Sequence, residues 1–261
     1  ARRVEALGDG ADAELLRRAY LAVAMVHRFG MSLGRNHLAA LLDCPEADID
    51  ARILEPLGHS LIPAGPVAIR TRHPVVAHAV SSLLASDDGQ RDAMVIDLLK
   101  SLPGGSVADN SVFHQPSELI RRVRQQGPLA PLTLNRFFEA GEDAATNDQL
   151  FWYDRGRVDV DFSRWEAALH HFDRALWRRP GDSQQRHHNA AVHAYRARCL
   201  LNLNRRKEAL AATEEGLRLS SQDAALLRLR EKLGGRPPRR DGGGPGGRRG
   251  GGGQRRGGPR E

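Results

Sequence analysis

Trp165-Glu166-Ala167-Ala168-Leu169-His170-His171-Phe172-Asp173-Arg174-Ala175-Leu176, followed by Pro180-Gly181-Asp182, decides the fold. Within it Ala168, Phe172, Ala175 and Pro180 fall at steps of four, three and five residues. Steps of three and four keep side chains on one helix face, and the Pro-Gly-Asp run punctuates the end. Counting back, Trp152 and Gly156 fall where a preceding antiparallel helix would meet that face. Small residues at such a crossing let two helices approach closely, while Trp and Phe fill the groove between neighbouring units.

The pattern resembles the second half of a tetratricopeptide (TPR) repeat, whose period is about 34 residues. Weaker copies flank it. Phe137 and Ala140 lie 35 residues before Phe172 and Ala175, and Ala209 lies 41 after Ala168, which is one repeat plus a seven-residue insertion. In the last copy Thr213 and Gly216 stand where Phe and Ala are expected, as in a degraded terminal unit. Residues 116–233 are therefore expected to form a TPR-like α-solenoid, since about three units suffice for a stable stack.

Towards the N-terminus the spacing predicts a helix over 12–29 with Asp12 as its cap and Gly30 as its stop, and a short one over 35–42. A third begins at Pro45 with Ile49, Ile53, Leu54 and Leu57 on its apolar face. The period then changes: residues 60–62 and 67–70 read as two short strands around Pro63-Ala64-Gly65-Pro66, and Pro74 opens a helix to Leu84. Three helices and a small hairpin is the order of a winged helix-turn-helix, assigned to residues 1–85. Residues 86–115, broken at Pro103-Gly104-Gly105, are expected to be a helical connector. The fold class is thus mainly α.

The chain has 261 residues and a formal charge of +7. From Gly234 to Glu261 eight arginines face Asp241 and Glu261, so this 28-residue stretch carries +6 and the rest only +1. It also holds 13 of the 27 glycines, which makes residues 234–261 a disordered Arg/Gly-rich tail by composition. Arg248-Arg249-Gly250-Gly251 and Arg255-Arg256-Gly257-Gly258 resemble the RGG segments of RNA-binding proteins, and these four arginines are the candidate nucleic-acid contacts. Base-stacking aromatics are absent from the tail, and compositional drift accounts for it equally well.

Chemistry is sparse. No phosphate-binding GxxxxGK[ST] loop and no HExxH occurs, so the chain by itself is expected not to be an enzyme. Met94-Val95-Ile96-Asp97 has the letters of a Walker B strand, but Ile96, Leu99 and Leu102 continue it at helical spacing. The His170-His171 and His187-His188 pairs with His193 lack the spacing of a metal site and are expected on the solvated repeat surface. Cys44 and Cys199, 155 positions apart, build neither a zinc ribbon nor a disulfide framework, which fits a reducing cytoplasm. The third helix carries Glu46, Asp48, Asp50 and Glu55 against Arg52, and so would meet a DNA backbone with net charge −3. No apolar run reaches the length of a membrane span.

The most specific short element is Ile69-Arg70-Thr71-Arg72-His73-Pro74-Val75-Val76. It sets Arg72 and His73 at a strand–helix junction, a corner suited to a phosphate, although His73 could equally cap the helix. A winged helix ending in such a pair and followed by TPR-like helices resembles the region after the nucleotide-binding core of STAND signalling ATPases. There a strand-end histidine senses the nucleotide's phosphates in the resting state. His73 matches that histidine, while Thr71-Arg72 and Pro74 replace its usual neighbours. The resemblance implies a regulatory and sensor region in which the repeats bind a protein trigger and the winged helix gates the nucleotide site, and it leaves open whether activation proceeds through a homo-oligomer. It places the ATP- or ADP-binding core upstream of Ala1, with no cofactor in this chain itself. The alternative is a non-enzymatic TPR adaptor whose tail recruits RNA.

Overall fold

Residues 19–27, Ala-Tyr-Leu-Ala-Val-Ala-Met-Val-His, are buried on every side and form the C-terminal half of the first helix, α1 (Ala11–Arg28). A helix apolar all round must be enclosed, and the small side chains of Ala19, Ala22 and Ala24 let its neighbours come close. The computed structural model describes residues 10–85, 87–102, 115–178 and 180–234, with His59 by its backbone alone. The tail arginines Arg248, Arg249, Arg255 and Arg256 and the Pro103-Gly104-Gly105 break lie outside these residues. Within them the molecule is mainly helical, with one small sheet.

Gly10, not Asp12, occupies the N-cap of α1; Asp12 stands in its first turn, where its charge favours the helix dipole. Gly30 ends the helix at φ 78°. Strand β1 (Leu33–Gly34) and helix α2 (Arg35–Leu42) follow, and then an irregular third helix, α3, over 46–57. Its middle turn, Asp50–Leu54, is widened to a π-helical turn, while Glu55–Leu57 is α-helical. Pro56 supplies the cause. It has no amide hydrogen to donate and its ring crowds the carbonyl four residues earlier.

Strands β2 (Leu61–Pro63) and β3 (Ala68–Thr71) form an antiparallel hairpin, and β1 joins its other side to give the order β1-β3-β2. Leu33 faces Ile69 and Leu61 faces Thr71. Helix α4 (Pro74–Leu84) returns along α1, and α5 (Asp88–Lys100) carries Met94, Val95, Leu98 and Leu99 into the same core.

The remaining helices are α6 (Pro116–Gln125), α7 (Pro131–Gly141), α8 (Gln149–Asp161), α9 (Trp165–Ala175), α10 (Ser183–Asn202), α11 (Arg206–Leu219) and α12 (Ala224–Lys232). Asp148 and Asp182 cap α8 and α10 by accepting the amides of Phe151 and Gln185 at 3.0 and 2.7 Å, and the two caps are 34 positions apart. Both hairpins then turn through a left-handed residue, Ser163 (φ 57°) or Asn204 (φ 59°), closed by Arg164 N–H to Asp159 O and Arg205 N–H to Leu200 O, each 2.8 Å. Those turns are 41 positions apart. The seven extra residues therefore lie within α10, which has 20 residues where α8 has 13.

Gly156 of α8 lies directly under the Phe172 ring of α9; a Cβ there would stand 2.7 Å from the ring. Trp152, Ala168, Phe172 and Ala175 are buried in the same cluster. Ala209 packs with Ala197 and Leu200 in a smaller cluster between α10 and α11. Pro180 is half-buried two residues before the Asp182 cap. At the end of the array Thr213 turns its hydroxyl onto the Ala209 carbonyl (2.8 Å), and Gly216 admits Leu226 of α12. Among the described residues no helix is long and apolar enough to cross a membrane.

Candidate functional site

The strand–helix corner is built from β3 and the first turn of α4. Alternation along β3 buries Ile69 and Thr71 and exposes Arg70, and the exposed face continues into Arg72 and His73. His73 is the N-cap of α4: its Nδ1 accepts the Val75 amide at 3.2 Å. The capping role and the outward-facing role therefore coexist. With Nδ1 engaged as acceptor, the neutral ring carries its proton on Nε2, which remains available as a donor.

Thr71, fully buried, ties the corner to α1. Its hydroxyl donates to the His73 carbonyl (3.1 Å), so Nδ1 of His27, 2.6 Å away, is the donor to the Thr71 oxygen. Burial and the neighbouring charge of Arg70, with a smaller contribution from His73, lower the pKa of His27 and favour this neutral, hydrogen-bonded form. The backbone beneath His73 is thus fixed from inside.

Arg70 and Arg72 hold no carboxylate among the described residues. The sequence explains why: residues 56–86 contain neither Asp nor Glu. That gap is a signal visible in the sequence that its reading missed, and so is Arg70. Beside the cations, Val75 and Val76 are 69% and 37% exposed. The corner presents two unpaired guanidiniums, an imidazole donor and an apolar step at a helix start, which is chemistry for binding an anion carried on another molecule or domain.

The histidine expectation needs correction at two positions. His171 and His193 are buried, not solvated. Asp159, on α8, reaches His171 Nδ1 and the Arg164 guanidinium at 2.6 Å each, and Arg164 continues to the Asn135 side chain at 2.8 Å. The His171 ring stacks on Trp152, whose Nε1 donates to the Ala145 carbonyl at 2.7 Å, and the Arg174 guanidinium lies 3.4 Å from the centre of the Trp152 ring. This network locks α7, α8 and α9 together. Its centre, Asp159, His171 and Trp152, is buried and paired, so its role is structural.

Gly30-Met31-Ser32-Leu33-Gly34 has the letters of a hydrolase GxSxG turn. Ser32 is buried and makes no hydrogen bond to a histidine or carboxylate among the described residues, so no nucleophile is assembled there. Of the residues singled out from sequence, Arg72 and His73 meet at the corner, and Trp152, Gly156, Ala168, Phe172 and Ala175 meet in the repeat core some way along the chain from it. No protein-family model, curated protein or solved structure matches this chain.

Proposed function

We propose that this chain is the regulatory and sensor region of a STAND-type NTPase, whose nucleotide-binding core is supplied by a domain outside these 261 residues. In this reading residues 11–84 form a winged helix-turn-helix, for which the helix–strand–helix–helix–hairpin order and the β1-β3-β2 sheet are the support. The helices from 116 to 232 form a TPR-like array that receives a protein trigger; the 34-residue spacing of Asp148 and Asp182 and the shared left-handed turns support it. One observation carries the functional part: an acid-free strand–helix corner where Arg70, Arg72 and the Nε2 of His73 are left to bind an anion from outside. ADP or ATP phosphate on the core is that anion, and contact in one nucleotide state only makes the corner a gate.

His73→Ala in the intact protein, core included, is expected to raise the rate of nucleotide exchange about tenfold, the effect of ~1.4 kcal/mol of state-specific binding. Because alanine also removes the helix cap, His73→Ser is the control: it keeps a capping acceptor and loses the imidazole. Both variants should exchange faster. Wild-type exchange in a folded His73→Ser protein would reduce His73 to a cap and overturn the gating role.

A further inference from the structure

A cleft of about 330 Å³ opens where α1, α5 and the turn between α6 and α7 meet. Met25 of α1, Phe29 just after it, Val95 of α5, and Val123 and Leu129 line it with apolar surface, and Arg28 enters it from α1 beside Arg91. Arg28 stands apart from the other arginines of its kind. Five arginines, at 28, 35, 122, 155 and 196, have a buried Nε with no acceptor. Four of them hold a carboxylate: Arg35 with Asp50, Arg122 with Glu118, Arg155 with Glu142 and Arg196 with Asp173. Arg28 holds none among the described residues.

Among the described residues its only hydrogen bonds run to neutral oxygens at the outer limit of length, Ser81 Oγ at 3.4 Å and Gln126 Oε1 at 3.5 Å. Burial and the nearby Arg91 push its pKa down. Arg91 cannot relieve it, being a second cation, already paired to Asp88 at 2.6 Å. The other acid on the cleft, Asp92, accepts the Thr133 hydroxyl at 3.2 Å. The buried Nε has no acceptor and, among the described residues, no carboxylate is paired with the guanidinium, so an anion in the cleft would supply the partner that Arg28 lacks.

We infer that this cleft binds a small amphipathic anion, a carboxylate or phosphate monoester on an apolar body, with the anionic group on Arg28 and the apolar part against Met25, Phe29, Val95, Val123 and Leu129. The volume fits a medium-chain or aromatic acid. Neither element of the recognition suffices alone: a bare anion would leave the apolar wall wet, and a neutral apolar molecule would leave Arg28 uncompensated. The cleft lies between α1, which the corner also uses through His27, and the α6–α7 turn within the helical array. Occupancy would therefore brace one part against the other.

The test is thermal unfolding and equilibrium binding of the full chain with octanoate, octyl phosphate, octanol and inorganic phosphate as probes. Octanoate or octyl phosphate should raise Tm, and whichever binds more tightly identifies the anionic group; octanol and inorganic phosphate at equal concentration should do little. Arg28→Met, which keeps the length and apolar bulk of the side chain, should weaken binding about tenfold or more and leave the ligand-free protein at least as stable as wild type. A wild-type chain unmoved by either amphipathic probe would overturn the proposal. So would equal binding by Arg28→Met, or a marked loss of stability in that variant, which would make Arg28 structural.

Discussion

Phe172→Ala is expected to cost about 3–5 kcal/mol, the range for removing a fully buried aromatic side chain. The ring has no exposure, lies against Gly156, stacks on Tyr195 with centroids 5.4 Å apart and tilts towards Tyr153 at 6.2 Å. It joins α8, α9 and α10, so its loss opens a cavity that no single helix can close. Gly156→Ala should also destabilise, by about 1–3 kcal/mol, because the added methyl meets a ring held on its other sides. The combination Gly156→Ala with Phe172→Leu should cost less than the two changes summed, since the smaller side chain makes room for the methyl. Urea unfolding followed by circular dichroism measures the wild type and the four variants, Phe172→Leu alone included. A loss below about 1 kcal/mol for Phe172→Ala would show that the α8–α9–α10 packing does not hold the array together.

Acid should weaken the fold through His37. This residue of α2 is 1% exposed, its Nε2 donates to the Leu98 carbonyl of α5 at 2.8 Å, and burial lowers its pKa to about 4. The unfolded chain binds a proton at His37 near pH 6.5, whereas the folded chain resists until about pH 4. Stability is therefore fully present above pH 6.5 and falls as the pH drops towards 4, by about 3 kcal/mol for this group alone. His27 and His193 are shifted in the same direction and add to the slope. Unfolding midpoints at pH 7.5 and 4.5 should differ more for the wild-type chain than for His37→Leu, whatever the variant's absolute stability. Equal differences would remove His37 from the account.

The sequence was most legible where a local signal and a tertiary demand coincide. Helix α2 over Arg35–Leu42 and helix α4 over Pro74–Leu84 were readable from the apolar period of the one and the proline start of the other. Strand β1 was not, because Leu33-Gly34 is too short to carry a period and exists only by pairing with Ile69 and Ala68 of β3. The seven-residue insertion was readable as an offset; its position was not, since only the repeated Asp caps and left-handed turns assign it to α10.

At the corner, spacing picked out Arg72 and His73, but the Thr71–His27 bond beneath them spans 44 positions and no local pattern announces it. His171 was read as surface for the same reason: its partner Asp159 lies on the preceding helix, twelve residues away, and only the fold brings them together. Buried polar pairs of this kind depend on helix crossings, which periodicity along one segment does not encode.

The gating claim is tested most directly by hydrogen exchange at the Val75–Val80 amides of α4 in the intact protein, with its nucleotide-binding core, in the resting nucleotide-bound and activated states. The Val75 amide is held by His73, and a phosphate clasped by the corner should hold this first turn further. The account predicts slower exchange there in the resting state, and loss of that difference in His73→Ser. Equal protection in both states, with exchange changing elsewhere on activation, would contradict it.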